Sequence, residues 1–392
     1  MLCWLEKPIA RPSGRGLAAL LAFTALLLAA ERGLEALRTA GITSGEACWI
    51  WLDGAATAAA DGRSPDDPRS SEPVAFFAAQ GFELSELEID GVRNGEATAW
   101  LEISADESYV VYLNDQWLGS NGFTQGAAID RYRVEDWLLP GPNRLVVELR
   151  SQRGVGGLLA DLQLEAPSGN RALAATDGDW KLYRYFDREL FHRLRWPEGA
   201  ESPEVWAHPP TGRWRLSAAE TERPIPFARE SPRGGTQRVG PTRMRGLWGR
   251  DWYELGRGRR RLPALGSKVL FDFGSEVTGY LFFDLPNNDH PAALAWFGDQ
   301  PPDPFERSPD EVLVFMPGYD QHRTVYPRTF RYVLLLGVQP KSKIQVRRLD
   351  AELATALAAP PLPGGVFGIT PSNRHTPAEE LVWDRLRTRP GR

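Results

Sequence analysis

Cysteine, histidine and methionine are scarce in this sequence, with two, five and three residues among 392. None of the ligand spacings typical of protein metal sites occurs, neither HExxH nor CxxC nor a calcium-loop pattern. A G-x-S-x-G nucleophile elbow is also absent, and the GVGG run at 154–157 lies between two β segments rather than before a helix, where it could bind phosphate. The sequence therefore predicts no metal and no other cofactor.

An excess of positive charge is missing as well, since 46 basic and 51 acidic residues give a formal net charge of −5. Such a chain has no overall electrostatic attraction to polyanions, so the composition argues against nucleic-acid binding. Hydrophobic residues make up 42% and charged residues 25%, as in ordinary globular domains. Glycine (38) and proline (32) are in excess, which favours many turns and short strands.

One long apolar run is present, at residues 17–30. It is shorter than the roughly 20 residues that span a membrane as a helix, and it follows Lys7, Arg11 and Arg15. A basic segment before a short apolar run is typical of an export signal. We therefore predict a signal peptide or membrane anchor over residues 1–40, with an uncleaved anchor favoured, and the rest of the chain outside the cytoplasm.

An alternative for this segment is a buried amphipathic helix that continues through Leu34 and Leu37. Cys3 and Cys48 lie on either side of the apolar run, which argues against a disulfide between them. A single thiol in an exported body is compatible with an oxidising compartment, because it has no internal partner.

After the N-terminal segment, helical periodicity nearly disappears and apolar residues alternate with polar ones. The clearest alternating segments are 97–103, 109–113, 144–149 and 158–164. Between Leu113 and Gln116, the pair Asn114-Asp115 fits a two-residue hairpin turn, because both residue types tolerate a positive φ. The pattern predicts an all-β protein of two β-sandwich (jelly-roll-like) domains, preceded by an N-terminal apolar helix.

Proline and glycine mark the predicted domain boundaries. Residues 224–241 contain four prolines and are the best linker candidate. Near the C-terminus, residues 378–387 fit one short helix. The predicted divisions are an anchor or signal at 1–40, a first β-sandwich of carbohydrate-binding type at 41–222, a Pro/Arg-rich linker at 223–262, a second β-sandwich at 263–355 and a Pro/Gly-rich tail at 356–392.

Residues 271–274 read FDFG, and Val277, Gly279 and Tyr280 follow at once. This order resembles a strand pair, DFG then a hydrophobic residue then G-[YW], in the non-catalytic N-terminal β-sandwich domains of bacterial α-L-rhamnosidase-like glycoside hydrolases. Other segments are similar to the same family and occur in the expected order. They are WIW at 49–51, the hairpin block 104–114, LPGPN at 139–143, the aspartate of Tyr319-Asp320 and PRTFRYV at 327–333. The resemblance covers roughly residues 47–350.

One part of that family has no counterpart here. In the enzymes, an (α/α)6 barrel follows the second sandwich and carries the acidic residues that cleave the glycosidic bond. Only about 40 residues follow Asp350, too few for a barrel of twelve helices. No position of this sequence therefore corresponds to the family's catalytic residues, and we expect the chain to have none. The resemblance implies a carbohydrate-related, extracytoplasmic architecture and does not by itself imply hydrolysis, so enzymatic activity is left open, leaning to none.

Glycoside hydrolysis needs two carboxyl groups about 5 to 9.5 Å apart, and spacing along a β chain cannot identify such a pair. Asp272 and Asp320 are expected to hold turns or inter-strand hydrogen bonds, a common role of aspartate. Asp320 and His322 would share a face of an extended segment, which hints at a ligand pair. A surface loop with an ordinary histidine is the favoured interpretation.

A locally basic stretch, 243–261, carries seven arginines against two acids, with aromatic residues interleaved. Trp248, Arg250, Trp252 and Tyr253 are its candidate carbohydrate-binding residues, since this composition can stack on and bind a polyanionic or sugar-acid chain. The alternative, which we favour for this stretch, is an inter-domain linker whose arginines pair with acidic surfaces of the two sandwiches.

Trp117 and Asn114 are the other candidate carbohydrate-binding residues, because they lie at the predicted hairpin tip. Hairpin tips lie at the surface, so Trp117 is expected to be an exposed platform for a sugar ring. The alternative is packing against a neighbouring strand or domain. Trp49, Trp51 and Trp100 alternate with other apolar residues and are expected in the core.

The leading hypothesis is an exported or membrane-anchored protein that binds carbohydrate or a cell-surface glycan, or scaffolds a partner glycoside hydrolase, without catalysis. One alternative is a truncated or split α-L-rhamnosidase-like hydrolase whose barrel is encoded elsewhere. A second alternative is a structural protein of the cell envelope that contacts other protein chains. The membrane is a predicted partner through the N-terminal segment, and nucleic acid is not.

Overall fold

The computed structural model describes residues 46–52, 72–123, 128–207, 216–227, 237–255, 267–285, 291–338, 343–358 and 376–387. The predicted signal or anchor at 1–40, and with it the predicted N-terminal apolar helix, lies outside these residues. Within them, no helix combines the length and apolar character needed to cross a membrane.

Most of the described residues form β-strands, which confirms the predicted all-β body. The first twelve strands are β1 (Trp49–Trp51), β2 (Val74–Leu84), β3 (Thr98–Asp106), β4 (Ser108–Leu113), β5 (Gln116–Gly122), β6 (Ala128–Arg133), β7 (Gly141–Ser151), β8 (Gly157–Ala166), β9 (Gly169–Ala175), β10 (Lys181–Tyr183), β11 (Glu204–Ala207) and β12 (Ser217–Glu222). The remaining described strands are β13 (Arg238–Val239), β14 (Arg243–Gly246), β15 (Tyr253–Glu254), β16 (Lys268–Asp284), β17 (Ala292–Gly298), β18 (Glu311–Val314), β19 (Gln321–Arg323), β20 (Arg328–Leu336) and β21 (Lys343–Arg348). The helices are α1 (Glu86–Arg93), α2 (Ala351–Ala356) and α3 (Pro377–Arg387).

The first twelve strands form two facing sheets, which we call the first sandwich. One sheet has the order β11-β1-β8-β3-β6-β12, with β9 added to β8, and the other has the order β10-β2-β7-β4-β5. Alternate residues of β3, namely Ala99, Leu101 and Ile103, are fully buried between the sheets, as the period of two along a strand requires. Asn114 and Asp115 form the β4–β5 turn with φ of 50° and 70°, which confirms the predicted two-residue hairpin.

Strands β13 to β21 belong to one nine-stranded sheet. The 17-residue strand β16 organises it: its first part pairs with β14 and β20, and its last part pairs with β19 and β21. The register of β16 against β20 shifts between Asp272 and Val277. These strands share a core that includes Phe271, Phe283 and Phe330. The strands of the predicted second sandwich therefore belong to one nine-stranded sheet with its own core.

The predicted linker at 223–262 is wrong over its described residues, because the structure shows strands there rather than a free connection. Residues 238–254 contribute β13, β14 and β15 to the nine-stranded sheet, with Arg243 of β14 opposite Asp272 of β16. Pairing satisfies backbone hydrogen-bonding groups that a free connection would leave to solvent. Helix α3 is found where residues 378–387 were predicted to form a short terminal helix, and it packs on β17 through Trp383 and Trp296, whose ring centres are 6.5 Å apart.

Candidate functional site

Trp117 is buried rather than exposed, so the prediction of an exposed platform is wrong. Only 5% of the residue is accessible, and its indole N–H donates to the Gly119 carbonyl at 2.8 Å. Tyr280 and Phe227 pack against the ring with centroid distances of 4.9 and 5.1 Å, and the Arg323 guanidinium lies 4.4 Å from its centre. The nine-stranded sheet covers the hairpin. This arrangement matches the alternative prediction, in which Trp117 packs against a neighbouring strand or domain.

Asn114 has a role in the turn rather than a free side chain. Its amide group donates to the Trp137 carbonyl at 2.9 Å and to Asn143 Oδ1 at 2.6 Å, and its Oδ1 accepts from the Arg144 N–H at 3.0 Å. Asn143 in turn donates to the Leu139 carbonyl at 2.6 Å. These bonds tie the β4–β5 turn to the LPGPN turn, which explains physically why the two motifs occur together.

The other four candidates lie together on the β14–β15 hairpin. We call the surface formed by Trp248, Arg250, Trp252, Tyr253 and the adjoining Lys268 the basic aromatic face. Trp248 is 67% exposed and Tyr253 is 38% exposed, and Arg250 is exposed. The ammonium group of Lys268 lies 4.3 Å from the Trp248 ring centre. The structure therefore presents a large indole in solvent beside cationic groups.

Trp252 is less accessible than Trp248, because it is covered by arginine. The guanidinium groups of Arg243 and Arg245 lie 4.5 and 5.0 Å from its ring centre, and the Tyr332 ring is 6.4 Å away. Cation–π contacts of this kind contribute about 0.5–2 kcal/mol each. Trp252 thus supports the hairpin from below and leaves Trp248 as the outer aromatic residue.

Asp272 is fully buried beneath the hairpin and pairs with Arg243 of β14 and Arg331 of β20. Arg243 Nη2 lies 2.7 Å and Arg331 Nε 3.0 Å from its carboxylate oxygens, and the Gly274 N–H donates to it at 2.8 Å. Burial alone raises the pKa of Asp272, but the hydrogen bonds from Arg331, Gly274 and Arg243 outweigh burial and lower the pKa to about 2. The predicted structural role of Asp272 fits this geometry.

The arginines of the basic stretch divide into two groups. Arg243 pairs with an acid, as the linker alternative expected. Within the part of the chain that the structure describes, no carboxylate pairs with Arg245, Arg250 or Lys268; Arg245 instead donates to the Gly249 carbonyl at 3.0 Å. The remaining arginines of the stretch, at 257–261, lie outside the described residues. The basic aromatic face therefore carries cations that form no ion pair within the described residues, and the acids Asp251 and Glu254 are also exposed on this hairpin.

Asp320 and His322 do not form a ligand pair. Asp320 is exposed, whereas His322 is buried and its Nε2 hydrogen-bonds with the Tyr319 carbonyl at 2.8 Å. Burial, together with the charge of Arg150, lowers the pKa of His322 to about 3, so the imidazole is neutral. Among the described residues, no group of three or more metal-ligating side chains is found. The favoured interpretation of a surface histidine is also wrong.

Sequence reasoning missed a cavity of about 340 Å³ between the first sandwich, the nine-stranded sheet and α3. Its walls include Glu107, Arg150, Glu311 and Glu379. These residues are spread over most of the chain, so no local spacing could have indicated them.

Comparison with known proteins places these elements in context. No family model and no curated protein matches the chain. Solved structures that resemble it include an α-L-rhamnosidase from Aspergillus terreus, with a TM-score of 0.45 and 15% identity over 77% of this chain and 36% of that chain. The GH78 rhamnosidase of Bacillus sp. GL1 gives a TM-score of 0.42 and 14% identity over 77% and 55% of the two chains.

A lectin from Pleurotus ostreatus in complex with GalNAc also resembles the chain, with a TM-score of 0.32 and 11% identity over 76% of each chain. Rhamnosidases, the enzymes that the sequence motifs resemble, are thus among the matching structures. The chain spans between 28% and 55% of the length of the rhamnosidases.

Proposed function

We propose that this chain is a non-catalytic carbohydrate-binding protein, located outside the cytoplasm, that recognises acidic glycan chains with its basic aromatic face. The observation that carries the proposal is the exposure of Trp248, at 67%, on a hairpin whose underside is fixed by buried Asp272. An indole matches the apolar face of a sugar ring, and this one lies beside the Lys268 ammonium group.

The position of Trp248 suits stacking. Lys268 covers part of the ring with its ammonium group at 4.3 Å, which holds the indole in place. Trp252 and the arginines above Asp272 support the hairpin from the sheet side. A ligand that stacks on Trp248 therefore meets a side chain with reduced freedom, and less conformational entropy is lost on binding.

The charges indicate an acidic ligand. Lys268 adjoins the indole, and Arg250 is exposed two residues further along the hairpin. Neither has a carboxylate partner among the described residues, so a uronate or sulfate group on the glycan would meet unpaired cations. Guanidinium groups bind carboxylates and sulfates with paired hydrogen bonds. The proposal accordingly joins stacking on Trp248 with ion pairing at its edge.

A glycan array probed with the purified full chain, followed by calorimetric titration of the best ligand, tests the proposal. Trp248→Ala is expected to weaken binding at least about tenfold, as for aromatic residues at the centre of binding sites. Phe305→Ala is the matched control, because Phe305 is 68% exposed outside the basic aromatic face, and it should leave affinity unchanged. Equal effects of the two substitutions, or no acidic glycan bound, would contradict the proposal.

The ionic part has a separate test. Affinity should fall as sodium chloride rises from about 0.05 to 0.5 M, since surface charges are screened over these concentrations. Arg250→Ala should reduce both the affinity and its salt dependence. An affinity that is independent of salt would refute the ionic contribution while leaving stacking in place.

The extracytoplasmic position and the lack of catalysis are also parts of the proposal. The first is supported by the basic residues that precede the apolar run at 17–30, and fractionation of cells that express the full chain tests it. The second is supported by the structural roles of Asp272 and its arginines. Release of product from aryl rhamnosides by the purified chain would overturn the second part.

A further inference from the structure

The cavity between the first sandwich, the nine-stranded sheet and α3 has features of a built ligand site. Its volume of about 340 Å³ lies at the lower end of the range of roughly 300–1,000 Å³ found for small-molecule sites. Such sites occur preferentially at domain interfaces. The volume suits a single ring and not an extended chain.

Three parts of the fold are joined around the cavity by hydrogen bonds. The Gly122 N–H of the first sandwich donates to the Tyr326 hydroxyl at 2.9 Å. The Thr376 hydroxyl, at the start of α3, donates to Gln152 Oε1 at 3.0 Å, and the Gln152 N–H donates to Glu107 Oε2 at 2.5 Å. The walls are therefore held in fixed positions relative to one another before any ligand binds.

Glu311 is the central charged group of the wall formed by the nine-stranded sheet. Its Oε1 accepts from the Val325 N–H at 2.6 Å, and its Oε2 lies 3.6 Å from Arg328 Nη2. Arg328 Nη2 itself donates to the Asp310 carbonyl at 2.7 Å. The backbone thus orients both side chains of the pair.

This pair has unused hydrogen-bonding capacity. The Glu311 side chain is 8% exposed, and within the described structure its Oε2 accepts no hydrogen bond and Arg328 Nε donates none. Burial raises the pKa of the Glu311 carboxyl, and the charge of Arg328 opposes this only in part. A buried polar atom without a partner is destabilising, so a bound group that supplies both a donor and an acceptor would be stabilised here.

The lining determines which chemistry fits. Two neighbouring hydroxyl groups on a ligand can donate to a carboxylate of the lining and accept from a guanidinium. An anionic ligand would instead meet more carboxylates than guanidiniums. The charged lining residues are Glu107, Asp310, Glu311 and Glu379 against Arg150 and Arg328. Val312, Val314 and Val325 add apolar surface, which suits the C–H groups of a ring.

We propose that this cavity binds one neutral monosaccharide-sized ring with adjacent hydroxyl groups, held by Glu311 and Arg328 and contacted by both the first sandwich and the nine-stranded sheet. The site is separate from the basic aromatic face and has the opposite charge preference. Because its walls come from both parts of the fold, bound ligand stabilises their contact.

Saturation-transfer NMR and thermal unfolding of the purified full chain test this site with a panel of neutral hexoses, 6-deoxyhexoses and the corresponding uronates. At least one neutral sugar is expected to bind saturably, with a Kd on the order of 1 mM, and to raise Tm with concentration as ligand linkage requires. The matching uronate should bind at least about tenfold more weakly. The proposal would be overturned if none of the sugars in the panel bound saturably.

Variants separate this site from the rest of the molecule. Val312→Phe fills the cavity without removing a charged group and should abolish binding, whereas Val92→Phe, an equal change in a different cleft, should not. Glu311→Gln keeps the size and shape of the side chain and should weaken binding about tenfold. This variant tests the site if Val312→Phe does not fold. Unchanged affinity in Glu311→Gln refutes the proposal. Trp248→Ala should leave this binding intact, which distinguishes failure here from failure of the proposed function.

Discussion

Trp117 of the first sandwich meets Tyr280 of the nine-stranded sheet edge to face, with ring centres 4.9 Å apart and planes at 78°. Phe282 approaches the same indole at 6.0 Å, and Arg323 lies over it. All three partners come from the nine-stranded sheet, so one side chain connects the two parts of the fold. The contact is largely buried, since Trp117 is 5% exposed, and aromatic pairs of this geometry stabilise beyond the area that they bury.

Trp117→Ala is therefore expected to destabilise the protein strongly. Removing a buried tryptophan side chain costs about 3–5 kcal/mol, since it loses the transfer free energy and leaves a cavity. Urea unfolding followed by circular dichroism measures the change. Trp248→Ala is the control and should change stability by less than about 0.5 kcal/mol, because Trp248 is exposed. Similar losses for the two variants would contradict the assignment of Trp117 to the domain contact.

Gly279, in the rhamnosidase-like motif, should not tolerate a side chain. Its φ is 155° and a methyl group would overlap the carbonyl oxygen of Arg347 on the neighbouring strand. Gly279→Ala should cost at least about 3 kcal/mol through clash and strain. Gly318→Ala is the matched comparison, since Gly318 also has a positive φ, 79°, but nothing within 4 Å of the added carbon. It should lose only about 1–2 kcal/mol, as measured by the same unfolding experiment.

Asp272 should contribute acid-sensitive stability. Its pKa is lowered from the ordinary 3.8 to about 2 in the folded state, so the unfolded chain binds the proton first as the pH falls. The contribution is complete above about pH 4 and is lost as the pH falls through about 2. Asp272→Asn should lower stability at neutral pH by about 1–3 kcal/mol, the range for hydrogen bonds to charged groups.

The difference in unfolding free energy between wild type and Asp272→Asn, measured from pH 7 to pH 2, should therefore shrink only at the acid end. A constant difference over this range would show that Arg243 and Arg331 do not hold the carboxylate in its charged form. Binding of glycan by this variant should also weaken, because the arginines beneath the basic aromatic face lose their anchor.

His322 should produce a second pH dependence, in a higher range. Its folded pKa is about 3 against an ordinary 6.5, because it is buried beside Arg150, Phe315 and Tyr319. The unfolded chain binds the proton between these values, so stability is complete above about pH 6.5 and falls towards pH 3 by at most about 1.4 kcal/mol per pH unit. His322→Gln can keep a donor to the Tyr319 carbonyl and should flatten Tm between pH 6.5 and 4. A variant with the same acid slope as wild type would contradict this origin.

Several features of the fold could be predicted because they depend on neighbours along the chain. The alternation of Ala99, Leu101 and Ile103 predicted a half-buried strand, since each strand of a sandwich turns one face to the core. The turn at Asn114-Asp115 followed from residue types that accept a positive φ. The structural role of Asp272 could also be predicted, because the Gly274 N–H that donates to its carboxylate lies only two residues away.

The errors concern pairing between distant segments. The segments that form β13 to β15 are two to four residues long, and their local sequence predicts a linker rather than strands. They become strands because β13 pairs with β21, β14 pairs with β16 and β15 pairs with β14. His322 was expected at a surface, but the burial of its ring depends on Phe315 and on the first sandwich. The local sequence does not show which strand edge a segment pairs with, nor which distant residues cover a side chain.

The amino-acid sequence alone determined the strand pattern, the hairpin turn and the motifs that resemble those of rhamnosidases, since each of these depends on residues close together in the chain. Only the tertiary structure decided that Trp117 is covered while Trp248 is open to solvent, and that Glu311 and Arg328 line a cavity together with Glu107. Exposure and cavity shape depend on surfaces that meet from positions more than a hundred residues apart, and no local pattern of residue types specifies such a meeting.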